Sequence, residues 1–159
     1  MFARRREALH GTTALAGMAR LQAAGVAPDG FLDWRVDGSM GKDDEQRVRE
    51  FLRVQVRFSP WMICSRCLEP VQIQDLATDT LFRQAASESQ AAREDQESET
   101  IEVIAASTSL DLGALLEDEA ILALPMAPAH DDCSLASTAG TLARSVSDLS
   151  KGARGGRQG

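Results

Sequence analysis

No stretch of this sequence is apolar for long enough to cross a bilayer. The longest such run, near Ile121 to Pro128, falls far short of the roughly 20 residues a spanning helix needs. A secretory leader is missing too. Met1-Phe2-Ala3-Arg4-Arg5-Arg6-Glu7 is basic, but Ala8, Leu9, His10, Gly11 and two threonines stand where an apolar h-region would have to follow. The expectation is a cytoplasmic protein with no membrane partner. Cysteine is scarce and odd in number at three, which in a reducing compartment argues for thiols or metal ligands and against a disulfide framework. Positive charge is also short. With 17 Lys and Arg against 24 Asp and Glu, the net charge of -7 excludes a protein that coats nucleic acid over its whole surface and leaves only local basic patches. Finally, no convergent carboxylate cluster or histidine pair is available for metal-assisted phosphodiester cleavage, which argues against a nuclease.

What is present suits one domain. At 159 residues and 43% hydrophobic the chain can bury a core. Residues 1–133 read as a single domain and 134–159, small, polar and glycine-rich, as a disordered tail. Thr12 or Thr13 can cap a helix over 12–24, with Leu15, Met18 and Ala19 on one face and Gly25 and Pro28 stopping it. Phe31 to Val36 alternate as a strand ending at an Asp37-Gly38 turn, and Asp43 and Asp44 favour another turn. Val71 and Ile73 begin a strand over 71–82 whose apolar parity shifts by one, the sign of a bulge or a break. Residues 84–100 lack any large apolar side chain and read as a mobile acidic loop, after which 101–104 form a brief strand. Asp111 can cap a helix over 111–124 that Pro125 forbids from continuing. The pattern is an α+β domain with a mainly antiparallel sheet, two short helices and a disordered C-terminal tail.

Two features carry chemistry. From 47 to 63 the chain reads as a strand in which Val48, Leu52, Val54, Val56 and Phe58 share one parity and Arg47, Arg49, Arg53 and Arg57 the other. Such a strand shows apolar groups inward and guanidiniums outward, spaced roughly 7 to 14 Å along the row, a separation that suits successive phosphates. An ordinary solvated face, its arginines paired with acidic neighbours, fits the same pattern. The second feature is Cys64-Ser-Arg-Cys67 at the tip of the hairpin formed by 47–82. With His130 and Cys133 it makes a three-thiolate, one-imidazole set, the donor count of a closed structural zinc site. Free half-buried thiols, or a redox dithiol, are the alternatives. A thioredoxin-like role fits less well, because Leu68-Glu69-Pro70 leads into a strand rather than a helix.

The order Cys64-Ser-Arg-Cys-Leu-Glu-Pro70, an acidic stretch, then Leu110-Asp-Leu through Leu115-Leu-Glu-Asp-Glu-Ala-Ile-Leu-Ala-Leu-Pro125 and His130 resembles the YceD family, the large ribosomal RNA subunit accumulation proteins. The residues carrying this motif are Cys64, Arg66, Cys67, Leu68, Glu117, Asp118, Glu119 and Pro125. In place of the Pro-Phe-Ala-x-Leu segment with which similar members end, this chain has its polar tail. The resemblance implies a bacterial or plastid factor needed for normal accumulation of 23S rRNA, without an established enzymatic activity or small-molecule substrate. Its partner would be a ribosomal RNA precursor or a large-subunit ribosomal protein. A thiol redox or zinc-handling protein built on the C-x-x-C pair is the competing expectation.

Overall fold

The structure is a computed structural model that describes residue 3 and residues 6–43, 45–97, 101–106 and 110–133; the expected tail over 134–159 lies outside the described residues. Two compact units emerge. The first comprises residues up to Met62 together with Gln72–Pro125, and the second comprises Ile63–Val71 together with the described residues from Met126.

In the first unit the strands are β1 (Ala8–Ala14), β2 (Phe31–Lys42), β3 (Val48–Phe58), β6 (Leu76–Ala85) and β7 (Glu102–Ala105), ordered β1-β2-β3-β6-β7. All neighbours are antiparallel except β6 and β7. Period-two alternation decides which face is buried. Register sets Leu32 opposite Phe58, Val36 opposite Val54 and Leu52 opposite Phe82, one continuous apolar face. Leu15, Met18, Leu21 and Val26 close over it, together with Leu116 and Ala120 of the helix α3 (Leu112–Leu122). Burying each of the larger side chains contributes about 1.5–3 kcal/mol. The short strands β4 (Trp61–Ile63) and β5 (Pro70–Gln72) form a separate two-stranded ribbon that carries the chain into the second unit and back.

Much of the expected pattern is present. The strand over 47–63 is β3 plus β4, interrupted at Ser59 and Pro60, where proline has no N–H for a ladder. The parity shift after the cysteines is a true break between β5 and β6, with Asp75 in the left-handed region at φ 54. Asp111 caps α3 by accepting the Ala114 N–H at 3.0 Å.

Several expectations fail, each for a physical reason. The helix over 12–24 is present only as a 3-10 turn at Leu15–Gly17 and a helix α1 at Ala19–Ala23. Gly11, Thr12 and Thr13, poor helix formers, belong instead to the edge strand β1, where a Cβ on Gly11 would come within 2.8 Å of the Trp34 indole. No turn occurs at Asp37-Gly38. Strand β2 runs on to Lys42 because β3 pairs with it throughout, and Gly38 sits opposite Leu52. The other expected turn, at Asp43, is present, its carboxylate accepting the Arg47 N–H at 2.8 Å. On β3, Val48 is exposed and Phe51, on the arginine side, is buried, its ring close against Gly41.

The acidic loop over 84–100 is also overturned, since Glu88–Glu97 form a helix, α2, so that the described residues hold three α-helices rather than two. Its composition of Glu, Gln, Ala and Arg suits a helix, and local bonds together with contacts to β7 hold it. Ser87 Oγ accepts the Gln90 N–H at 3.3 Å, Gln90 donates to Glu94 at 2.6 Å, and Asp95 accepts the Val103 N–H at 2.9 Å. Ala91 is buried with Ala85 and Val103. Residues 98–100 lie outside the described residues.

Candidate metal centre and arginine face

The C-x-x-C turn closes on itself. Cys64 N–H donates to Glu69 O at 2.9 Å and Leu68 N–H to Cys64 O at 3.0 Å. Leu68 takes φ 63 and is 75% exposed, a left-handed conformation costing a non-glycine residue about 1–2 kcal/mol. The second half-site is a similar turn, Cys133 N–H donating to His130 O at 3.2 Å. Two further bonds join the halves. Ser65 N–H donates to Pro128 O at 2.8 Å, and the Arg66 guanidinium donates to Cys133 O at 2.8 Å.

Folding therefore brings Cys64, Cys67, His130 and Cys133 together, with their donor atoms all within 4.8 Å of one another. None of the three cysteines is in a disulfide. The Cys64 and Cys133 sulfurs are 3.8 Å apart, and Cys67 Sγ lies 3.5 Å from His130 Nδ1. A tetrahedral zinc bound at about 2.3 Å to sulfur and about 2.0–2.1 Å to nitrogen has edges of about 3.8 Å between sulfurs and about 3.5 Å between sulfur and nitrogen. The donor set fits such an ion. His130 Nε2 lies 3.1 Å from Pro70 O. A proton on Nε2, donated to that carbonyl, leaves the Nδ1 lone pair facing the sulfurs, the usual orientation of a ligating histidine.

Electrostatics agree. Backbone N–H groups, first that of Cys67 and then that of Arg66, hold the Cys64 thiol down to about 5. Burial and the neighbouring sulfurs push Cys133 up to about 11, while the Cys64 sulfur raises His130. Three sulfurs this close cannot all ionise without a cation between them. The set can hold a divalent ion with no open position for a reacting water.

The arginines at and along β3 are occupied. Arg47 pairs with Glu45 and, at 3.2 Å, with Asp43. Arg49 meets Asp43 at 2.9 Å and turns toward Glu94 of α2. Arg53 forms a bidentate pair with Asp79 of β6 at 2.6 and 2.5 Å, and Arg57 faces Asp75 at 3.4 Å. Each cation of the row thus meets a carboxylate of the same chain. Beside the row, a shallow depression of about 470 Å³ is lined in part by Asp33, Arg35, Gln55, Arg57, Ala77 and Asp79. Of its charged groups Arg57 and Asp79 belong to the pairs above, and Arg35 meets Asp37 at 2.7 Å.

One pairing has a measurable pH signature. The Arg49 guanidinium, helped by the Arg47 N–H and side chain, holds the Asp43 carboxyl down to about 2, from an ordinary value of 3.8. A folded-state value below the unfolded one lends stability above 3.8 that disappears as pH falls toward 2. The stability gap between wild type and Asp43→Asn should therefore be constant above pH 4 or so and shrink through that window, read from urea midpoints at a series of pH values. An equal gap at both ends would contradict the pairing.

Residues 52–148 match the family described as "Large ribosomal RNA subunit accumulation protein YceD". The chain belongs to that family. Membership points to a role in accumulation of the large-subunit ribosomal RNA. No curated protein and no solved structure matches the chain.

The residues expected to carry the family motif divide into two groups. Cys64, Arg66, Cys67 and Leu68 build the knuckle, and Glu117, Asp118 and Glu119 serve the fold of the first unit. Consecutive acids on a helix would ordinarily form a solvated edge, yet Glu117 and Glu119 point inward. Glu117 Oε1 accepts the N–H groups of Arg20 and Leu21 at 2.6 and 3.0 Å, capping α1 from another helix, and Oε2 takes Arg20 Nε at 3.1 Å. Asp118 receives the Arg20 guanidinium at 2.5 Å, and Ala114 O accepts from it at 2.9 Å. Glu119 is 2% exposed and takes the Thr80 hydroxyl at 2.6 Å. Pro125 follows the helix end as expected. Nothing in the sequence marked Arg20 or Thr80 as partners, because that pairing exists only once α1, β6 and α3 pack.

Proposed function

We propose that this protein is a cytoplasmic ribosome biogenesis factor that supports the synthesis, processing or stability of 23S rRNA, and hence accumulation of the large subunit, by binding rather than catalysis. The YceD match over residues 52–148 carries this reading. The chemistry of the described residues is consistent with it. The motif acids are engaged in structural hydrogen bonds, and the four sulfur and nitrogen donors make a closed set suited to structural zinc. A zinc ion there would cross-link the two turns of the second unit. The thiol redox or zinc-handling alternative finds less support, since a third sulfur and an imidazole converge on the C-x-x-C pair.

The partner is a ribosomal RNA precursor or a large-subunit ribosomal protein. For Arg47, Arg49, Arg53 and Arg57 to bind phosphates, each would have to give up a carboxylate it already holds. The carboxylates beside these cations would also face an incoming phosphate and leave the row without net positive charge to attract it, which favours a protein partner. Depletion of the protein in its own cells should lower the ratio of 23S to 16S rRNA and the large-subunit peak in sucrose gradients, with recovery on expression of the wild-type chain. An unchanged ratio would overturn the proposal.

A further inference from the structure

We propose that the outer edge of β1 docks an extended, cationic polypeptide segment, which adds to the sheet as a further antiparallel or parallel strand. This rests on the reading that the chain acts by binding, and it names the kind of partner.

Bond parity places the open groups. In the β1–β2 ladder Gly38 N–H donates to Glu7 O and Leu15 N–H to Gly30 O, and the register runs from Ala8 opposite Asp37 to Ala14 opposite Phe31. Hydrogen-bonded pairs alternate in an antiparallel ladder. Leu9, Gly11 and Thr13 therefore turn their backbone groups toward β2, and Ala8, His10, Thr12 and Ala14 turn theirs away. Those four residues are all exposed. Natural edges are blunted by lysine, proline, inward charges, bulges or short length. Ala8–Ala14 has seven residues, no charged residue and no proline, and its register with β2 is unbroken. At the opposite edge β7 has only four residues.

The surroundings select the occupant. On the polar face Thr12 sits opposite Asp33, which among the described residues takes only the Thr12 hydroxyl at 2.7 Å. Arg35 is bound by Asp37 through two bonds, and Arg57, opposite Asp33 in the β2–β3 register, faces Asp75 at 3.4 Å. A lysine or arginine on an added strand would reach across Thr12 toward Asp33. On the other face Leu9 is 49% exposed and Gly11 lies under the Trp34 indole, offering apolar contact to the alternate residues. The fitting segment thus alternates cationic and apolar side chains, in the manner of β-strand addition. Nucleic acid cannot complete an amide ladder and would meet Asp33. A second copy pairing β1 to β1 brings no lysine or arginine opposite it.

The test uses the full chain, isotope-labelled, with a synthetic peptide of alternating Lys and Val and a counterpart of alternating Glu and Val. With the Lys peptide, amide exchange at Ala8, His10, Thr12 and Ala14 should slow by on the order of tenfold or more while Leu9, Gly11 and Thr13 hold their protection. His10→Pro removes one outward N–H without touching the β2 ladder and should abolish the effect. Ala8→Pro, at the first residue of the strand where proline is tolerated, gives the same readout should His10→Pro fail to fold. Asp33→Asn should weaken the Lys peptide selectively. Equal protection by the Glu peptide, protection confined to other residues, RNA oligonucleotide binding at β1, or a dimer in analytical ultracentrifugation that His10→Pro dissolves would each overturn the proposal. Peptide binding and the rRNA ratio on depletion are separate readouts, so failure of the edge and failure of the biogenesis reading are distinguishable.

Discussion

Protein purified without chelator should contain one zinc ion per chain, and Cys64→Ser, Cys67→Ser or Cys133→Ser should each lose it. The expected effect is large because the second unit has little else to hold it. Among its described residues only Cys64 and Val71 are buried apolar groups, far fewer than a self-supporting core requires. In small zinc modules the apparent binding energy is about 10–16 kcal/mol and is in effect folding energy. Chelation should therefore collapse amide protection across 63–71 and 126–133 and leave the β2–β3 amides of the first unit intact, measured by hydrogen exchange alongside elemental analysis. A well-folded, metal-free chain carrying a Cys64–Cys67 disulfide would defeat this prediction and revive the thiol redox reading.

Glu117→Ala should lower stability by roughly 2–4 kcal/mol. The carboxylate accepts two backbone N–H groups at the start of α1 and the Arg20 Nε. A charged hydrogen bond is worth about 1.5–3 kcal/mol and a helix cap about 1 kcal/mol, less what water recovers at a side chain that is 13% exposed. Asp118→Ala, which loses a pair exposed on both sides, should cost less than about 1 kcal/mol. Denaturant midpoints at neutral pH measure both. Equal losses from the two variants would mean that Glu117 is not the cap described here. The contrast also bears on function: a motif substitution that lowers rRNA accumulation through Glu117 would act through folding, and its phenotype should track the amount of folded protein.

The same caution applies to the arginines. Arg53 lies between Asp79, which it binds, and Asp37, whose charge it also compensates. Charge reversal at Arg53 would set three carboxylates together on one sheet face, so loss of ribosome association in such a variant has a folding explanation before it has a binding one.

How much was legible in the sequence depended on how local the cause was. Alternation along 48–58, the break after the cysteines, the cap at Asp111 and the stop at Pro125 arise from neighbouring residues, and all are visible in the chain read alone. The metal set was legible in a different way, because two turns that each present a pair of ligands leave few other partners for their side chains. By contrast, the burial of Glu119, the capping of α1 by Glu117, the folding of 88–97 as a helix and the strand at 8–14 arise from groups distant in sequence. Sequence by itself thus determined the family, the α+β class, the inward apolar face and the four candidate ligands. Tertiary structure alone decided that the arginines are paired with carboxylates, that Glu117 and Glu119 serve the fold and that β1, among the described residues, is an edge strand. The reason is physical: side-chain period and turn chemistry act over a few residues, whereas the partner of a charge is whichever opposite charge or N–H packing brings within about 4 Å.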